Sequence, residues 1–378
     1  MKEIKNLTSI GLGDILGNGI SAGFWFYLAI LIIPENYGEI QYFISIAGIV
    51  SYLALFSSQN TITVYVAKKI PIQSTFNLIS LSIAVLGFLV LFLIFNRVDL
   101  GFLVLGYVIS NLAIGGILGE KKYKNYLKYI LLQKSLTPIF GLSFFFIFGI
   151  EWIISGLALS YVGYVLIIFR NFQQIKVDFS LLSSRKGFIL NNYLYTLSGT
   201  LHGQVDKIII MPILGSALLG NYSLSLQIIS AMMIFSTIFY KYLLPQDASG
   251  RDNKKIRKIL IVISIILTLI GFFIVPVLLP EVFPEYTDAA DSIRIMSLSL
   301  LPMGMIRIYT SKFLGKEKSR HILIGTIISL SVLIPTMLLF GIWYEIIGIS
   351  ASFVLSTIIQ CVYFFYVNRK IDKENINE

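Results

Sequence analysis

Among the polar side chains inside or at the ends of the long apolar runs of this chain, which include Gln59, Asn60, Gln133, Asn191 and Gln204, nine are candidates for chemistry: Asp14, Asn18, Lys134, Asn192, His202, Asp206, Lys207, Arg294 and Arg307. Charge held at membrane depth is costly, so each is a candidate for binding or ion chemistry. Four of them are cations, Lys134, Lys207, Arg294 and Arg307, against two carboxylates, Asp14 and Asp206. An interior of that balance attracts an anionic group such as a phosphate or diphosphate. Asp206 and Lys207 are adjacent, which puts them about 100° apart on a helix and makes them poor partners for each other. Each is expected to bond a neighbouring helix, or Lys207 snorkels outward. Arg294 is close enough to a span end to snorkel, Arg307 is deeper, and Asp14 lies near the interfacial water. His202 titrates near neutral pH or serves as a satisfied polar group.

No P-loop, no HExxH and no nucleophile–base arrangement is present. GLGDILG and GNGISAG miss the dinucleotide spacing by one residue and follow no strand. The reading is therefore a protein that is not an enzyme and needs no cofactor or metal. Cys361 is the only cysteine, which excludes an internal disulfide.

The elements that hold these residues are membrane helices. The chain has 378 residues, of which 56% are hydrophobic and only 13% charged; the mean hydropathy is +0.82. Soluble domains are about a quarter charged. The apolar runs are continuous and of helical length, unlike the alternating segments of an outer-membrane barrel. Twelve spans are expected, near 10–32, 38–60, 76–95, 100–119, 127–149, 151–169, 188–212, 218–244, 258–280, 292–313, 321–343 and 345–367. The first is too long for a cleaved signal peptide.

Lys and Arg fix the orientation. With the N-terminus inside, Arg97 is the one cation on an outside loop, and every Lys and Arg other than it and the four span cations is inside. The loop 281–291, EVFPEYTDAAD, is then external and acidic. The net charge of +10 reflects topology, not nucleic-acid binding. Both termini are cytoplasmic in this scheme, and the protein is a multi-pass protein of the cytoplasmic (inner) membrane.

The second half looks like a copy of the first. Sliding Gly38 onto Gly220 places Gly17 on Gly199 and Ser21 on Gly203, and lays IIPENYGEIQYFISI over ILGSALLGNYSLSLQI. The pairs Gly13/Gly17, Gly19/Gly23, Gly115/Gly119 and Gly199/Gly203 have the spacing that lets helices approach closely. Pro138, Pro302 and Pro335 offer kinks. The linker near 170–186 divides the chain into equal halves.

The opening LGDILGNGISAGFWFYLAILIIPENYGEIQYFISIAGIVSYLALFSSQNTITVYVAKK resembles the first two spans of the polysaccharide (O-antigen type, Wzx-like) flippases. These belong to the multidrug/oligosaccharidyl-lipid/polysaccharide (MOP) exporter superfamily. The segment QVDKIIIMPILGSALLGNYSLSLQI is similar to that family's seventh span and following turn, through Asp206-Lys207 and Gly220-Asn221-Tyr222. The chain is short for the family, and its first half is poor in interior cations.

The resemblance implies an all-α membrane fold of two pseudo-symmetric six-helix lobes around a central cavity. The lobes would be residues 1–170 and 188–368, joined by a cytoplasmic linker 171–187 and followed by a tail 369–378. It implies passage of an isoprenoid-diphosphate-linked oligosaccharide to the outer leaflet by ion-coupled alternating access, with H+ or Na+ as the ion. Arg307, Lys207, Arg294, Lys134, Asn18 and Asn192 are the substrate-binding candidates; Asp206, Asp14 and His202 are the coupling candidates. Membrane lipids, a polysaccharide polymerase and glycosyltransferases are the implied partners. The alternatives are a drug/cation antiporter of the same superfamily, whose interior would favour carboxylates, and a membrane polymerase or glycosyltransferase, which would need a large extramembrane loop.

Overall fold

The computed structural model describes residues 2–56, 59–174, 177–183, 185–248, 253–316 and 318–377. Lys176 and Arg251, both counted in the expected topology, lie outside them. Among the described residues the chain is helical and has no strand.

The helices are α1 (Lys2–Leu31), α2 (Pro34–Ala54), α3 (Gln59–Ala67), α4 (Gln73–Phe95), α5 (Val98–Gly119) and α6 (Tyr123–Phe148), then α7 (Ile153–Leu159), α8 (Val165–Gln174) and α9 (Ser180–Ser183). The second half has α10 (Lys186–Met232), α11 (Ile234–Ala248), α12 (Lys254–Leu269), α13 (Val275–Val282), α14 (Ala289–Met296), α15 (Leu300–Gly315) and α16 (Ser319–Asn377). Among the described residues ten helical stretches are long and apolar enough to cross a membrane. In lipid a helix is the one open-ended element that satisfies its own backbone, so apolar runs of this length take no other form.

Two of the ten fold back on themselves. In α10 the backbone breaks at Gly215, with φ 83°. Tyr222 then reaches Asp206, a separation that would span about 24 Å along a straight helix. In α16 the break is at Glu345, with φ 48° and ψ −128°. Beyond it Ser329 Oγ donates to Ser356 O at 3.2 Å. Counting each hairpin as two passes makes twelve, as the sequence predicts.

Helix directions agree with that count. Gly13 packs on Leu127, and Gly17 on Ile130 and Lys134, so α1 and α6 run parallel, as first and fifth spans must. Gly304 packs on Ser264 and Gly271 on Ser297, so α12 and α15 run antiparallel, as ninth and tenth spans must.

The chain forms two compact units, residues 1–25 with 43–204, and residues 26–42 with 205–378. In the first, α5 is the enclosed helix. Gly115 and Gly119 let α3 approach until an added Cβ would sit 2.9 Å from Gln59 O and 2.6 Å from Val66 Cβ, and Thr63 Oγ1 donates to Gly115 O at 3.1 Å. Of the four glycine pairs, Gly13/Gly17 and Gly115/Gly119 mark close helix contacts. Gly19, Gly23, Gly199 and Gly203 have no neighbour within 4 Å of an added Cβ, so close packing is not what holds those four. The sixth pass is broken into α7, a 3-10 turn (Val162–Tyr164) and α8.

The second unit has a core of Ile210, Leu219, Tyr222, Met296, Leu333 and Ile349. Pass nine carries a π turn (Ile270–Ile274) between α12 and α13.

Candidate functional site

The Asp206-Lys207 pair lies on the first arm of α10, before its break at Gly215. Asp206 is buried. Its Oδ2 accepts the Tyr222 hydroxyl at 3.0 Å, and its Oδ1 accepts the Lys207 backbone N–H at 2.8 Å. Lys207 Nζ comes within 3.6 Å of Oδ1, with side-chain exposures of 12% and 4% for the two residues. That corrects the expectation that neighbours in sequence do not pair. The Cα–Cβ directions do diverge, but the four-carbon lysine stem bends back. At 3.6 Å the contact is an ion pair and not a hydrogen bond. Tyr222 supplies the neighbouring-helix contact expected of Asp206. The structure therefore brings Asp206 and Lys207 together around a third group, and locks both arms of the α10 hairpin.

Other candidates stand elsewhere. Asp14 accepts the Tyr126 hydroxyl at 2.6 Å, which ties α1 to α6. Lys134 lies further along the same helix pair, its stem against Gly17. Asn18 is exposed on α1, and Asn192 and His202 are half-buried on the first arm of α10. These five are in the first unit.

Arg294 is exposed and bonds Asp291 at 3.3 Å on the last turn of α14, where the helix C-terminus also favours a cation. Arg307 is exposed on α15, its guanidinium 5.7 Å from the centre of the Tyr240 ring. Neither Arg307 nor Lys134 has a carboxylate partner among the described residues.

Two polar clusters show only in the fold, although the sequence marks Gln133 as a polar group within a span and Arg257 as an inside cation. In the first unit Gln133 donates to Thr137 and Ser160, at 3.0 and 3.3 Å, all three buried. The trio ties α6 to the break in pass six. In the second unit Arg257 bonds Asp247, whose other oxygen accepts Ser311 Oγ at 2.5 Å. In the sequence Arg257 reads only as an inside cation, and Asp247 carries no signal of its own. Only the fold shows that they close over the end of α15.

A scan of protein families gives no match to the sequence, and no curated relative matches it. Solved structures do match in shape. The lipid II flippase MurJ in an inward closed conformation aligns with a TM-score of 0.70 over 95% of this chain and 87% of its own, at 14% identity. An inward-facing multidrug resistance MATE family transporter of the MOP superfamily aligns with a TM-score of 0.70 over 97% and 98%, at 14% identity. An outward-facing MATE transporter of that superfamily gives 0.63 over 99% and 97%, at 15% identity. The chain is thus similar along its whole length to transporters of two kinds, and its fold is the all-helical, multi-pass fold that MATE transporters and the lipid II flippase share.

Proposed function

We propose that the chain is a flippase that carries an isoprenoid-diphosphate-linked oligosaccharide, a polysaccharide repeat unit, from the cytoplasmic to the outer leaflet. The observation that carries this reading is the pair of cations inside passes, Lys134 and Arg307, with no carboxylate partner among the described residues. A charge at that depth faces water or an anion rather than hydrocarbon. The anion of a lipid-linked sugar is its diphosphate. Arg307 offers a bidentate fork and Lys207 a point charge. Lys134, Asn18 and Asn192, in the first compact unit, are the further substrate-binding candidates. Arg294, already held by Asp291 at a helix end, contributes least.

Asp206 is the first candidate for coupling to an ion gradient. Protonating it removes the counter-charge of Lys207 and reduces the Tyr222 contact from a charge-assisted hydrogen bond to a neutral one, and an ammonium group this close disfavours a Na+ ligand role. Asp14 and His202 are the further candidates. The membrane would be the cytoplasmic membrane, with both termini inside, a polymerase and glycosyltransferases as neighbours in the pathway, and no catalytic step on the chain itself.

The test is reconstitution without nucleotide. A proton gradient should drive inward-to-outward transfer of a fluorescent isoprenoid-diphosphate-linked saccharide. Strict dependence on ATP in the absence of a partner ATPase would defeat the reading. A second reading, drug/cation antiport, is favoured by length, since the chain spans 98% of the MATE transporter and 87% of the flippase. Gradient-driven efflux of an organic cation, with no movement of the lipid-linked saccharide, would select it.

A further inference from the structure

The buried face of α4 changes character along its length. Gln73, Asn77, Ser80, Ala84 and Leu91 share one stripe of the helix and are all buried. The first three are polar and the last two are apolar. The helix beside this stripe is α5, and both belong to the first compact unit. Their register is fixed at two places. A Cβ on Gly116 would land on the Gln73 amide, and a Cβ on Gly101 would land on the Phe88 ring. The two helices therefore run antiparallel, and the register between those points sets the turn from Val108 to Leu112 opposite Asn77 and Ser80. Val108, Leu112 and Gly116 are buried and carry no side chain that hydrogen-bonds. The polar side chains of that stretch, Ser110 and Asn111, both donate to Tyr107 O on their own helix, each at 2.9 Å.

Asn77 and Ser80 are fully buried. Asn77 Nδ2, Asn77 Oδ1 and Ser80 Oγ have no hydrogen-bond partner among the described residues. A helix offers such side chains a local remedy, the carbonyl four residues back. Other residues of this chain take it. Asn111 donates to Tyr107 O and Asn221 to Ala217 O, at 2.9 and 3.0 Å. Ser225 donates to Asn221 O, Ser264 to Leu260 O and Ser352 to Gly348 O, at 2.8, 2.9 and 2.8 Å. For Asn77 and Ser80 the equivalent acceptors are Gln73 O and Phe76 O, and neither is used. Residues three apart on a helix are neighbours, so three unanswered polar atoms are gathered within one turn. In apolar surroundings each such atom is costly, and native structures answer them with ordered water or an ion.

We propose that this seam is a hydration site, which holds ordered water between α4 and α5 and is entered from the Gln73 end. The chemistry selects water. An amide N–H, an amide oxygen and a hydroxyl together call for a ligand that both donates and accepts. A cation offers the N–H no acceptor, and an anion offers the amide oxygen no donor. One water closes a ring with the amide by accepting from Nδ2 and donating to Oδ1. Its remaining capacity meets Ser80 Oγ one turn on, and three bonds is the usual number for a buried water. From Gln73 to Ser80 the stripe rises about 10 Å, the length of a short file of waters. The site goes beyond the transport reading and does not depend on it, since it asks only that α4 and α5 pack as they do.

The experiment uses the full chain in lipid nanodiscs. X-ray radiolysis turns bound water into hydroxyl radicals, which oxidise the side chains beside them, and mass spectrometry reads the rate at each residue. Leu112 and Leu100 are on the same helix and are both fully buried, so radicals from bulk water reach neither. Leu112 should oxidise several-fold faster than Leu100. Asn77→Leu with Ser80→Ala should bring the two rates together. Leu112 oxidation should be the same in sodium, potassium and choline buffers. The second readout is the apparent Tm. Ser80→Ala deletes a hydroxyl that is bonded in a hydrated seam and unpaired in a dry one. It should therefore lower the Tm relative to Ser82→Ala, the same change at an exposed position of α4, which corrects for helix propensity.

Equal oxidation of Leu112 and Leu100 in the unsubstituted chain overturns the site. So does a fast Leu112 that stays fast in the double variant, since these side chains would not be what holds the water. A Tm for Ser80→Ala above that of Ser82→Ala also overturns it, because relief from an unpaired hydroxyl means a dry seam. Loss of Leu112 oxidation on adding sodium alone would put a cation where water is proposed, and would overturn it too. If the double variant fails to insert, the ratio of Leu112 to Leu100 in the unsubstituted chain and the Tm of Ser80→Ala decide between them, and failure of either expectation overturns the site.

Discussion

The hydroxyl of Tyr222 donates to the Asp206 carboxylate at 3.0 Å, and so closes the hairpin that α10 makes around Gly215. One buried acceptor thus serves two purposes. It fixes the geometry of passes seven and eight, and it holds the ammonium group of Lys207 by its side.

Those purposes separate on mutation. Tyr222→Phe leaves the carboxylate charged with one donor fewer, which should cost about 1.5–3 kcal/mol, the usual worth of a hydrogen bond to a charged group. The apparent Tm in detergent should fall while gradient dependence remains. Asp206→Asn keeps the volume and removes the charge, so gradient dependence should disappear. Gradient-driven flipping at the unsubstituted rate in Asp206→Asn would exclude Asp206 as the coupling group.

The cations should separate by geometry. Arg307→Gln and Lys207→Gln are each expected to lower flipping by at least about ten-fold, with protein levels in the membrane unchanged, if each contributes one charge-assisted phosphate contact. Near-full activity in Arg307→Lys would mean that charge alone matters, and a large loss would point to the bidentate fork. A double Gln variant that inserts normally and flips at the unsubstituted rate would remove diphosphate binding from these two residues.

Topology has its own check. A reporter fused after Arg251 should be cytoplasmic and one at Asp288 external, as the Lys/Arg alternation requires. Both on one side would break the twelve-pass count, and with it the orientation proposed for transport.

How much of this was legible in the sequence follows from which interactions leave a periodic trace. Apolar runs of membrane length and the Lys/Arg alternation record the twelve passes directly, and Glu345 sits at the boundary expected between passes eleven and twelve. The overlay of Gly38 on Gly220 exposed two related segments, yet nothing in a one-dimensional pattern says that the two glycines touch. Tyr286 reads as one residue of an acidic loop, although its hydroxyl caps α1. Arg257 reads only as an inside cation, and nothing marks Asp247 as its partner, for the same reason: partners brought together by tertiary packing carry no spacing signal. At Asp206-Lys207 the helical-wheel argument placed the Cβ atoms well and overlooked the reach of the lysine stem.

The Asp247–Arg257 pair gives a stability prediction. Asp247 and Arg257 have side-chain exposures of 4% and 13%. Asp247→Ala removes the carboxylate that holds both the Arg257 guanidinium and the Ser311 hydroxyl, which should cost about 1.5–3 kcal/mol. Ser311→Ala removes one neutral donor to the same carboxylate and should cost about 1–2 kcal/mol. Asp247→Ala with Arg257→Ala should cost clearly less than the two single losses combined, because the interaction they share is lost only once. Additive losses in detergent unfolding would show that the pair is not coupled.

Glu345 is the place where this chain should be improvable. Its φ of 48° with ψ of −128° is the conformation of the first central residue of a type II′ turn. A side chain is strained there and glycine is not. The position is exposed, so no packing is lost on substitution. The turn connects passes eleven and twelve, and its closure brings Gly348 onto the Phe340 carbonyl, so the backbone has little freedom to relax the strain elsewhere. Residues held in such regions carry about 1–3 kcal/mol, offset in glycine by up to about 1 kcal/mol of extra chain entropy in the unfolded state. Glu345→Gly should therefore raise the apparent Tm in detergent by a few degrees and leave flipping unchanged, whereas Glu345→Val, β-branched at the same φ, should lower it. A fall in Tm for Glu345→Gly would mean that the glutamate carboxylate holds the turn by contacts worth more than the strain.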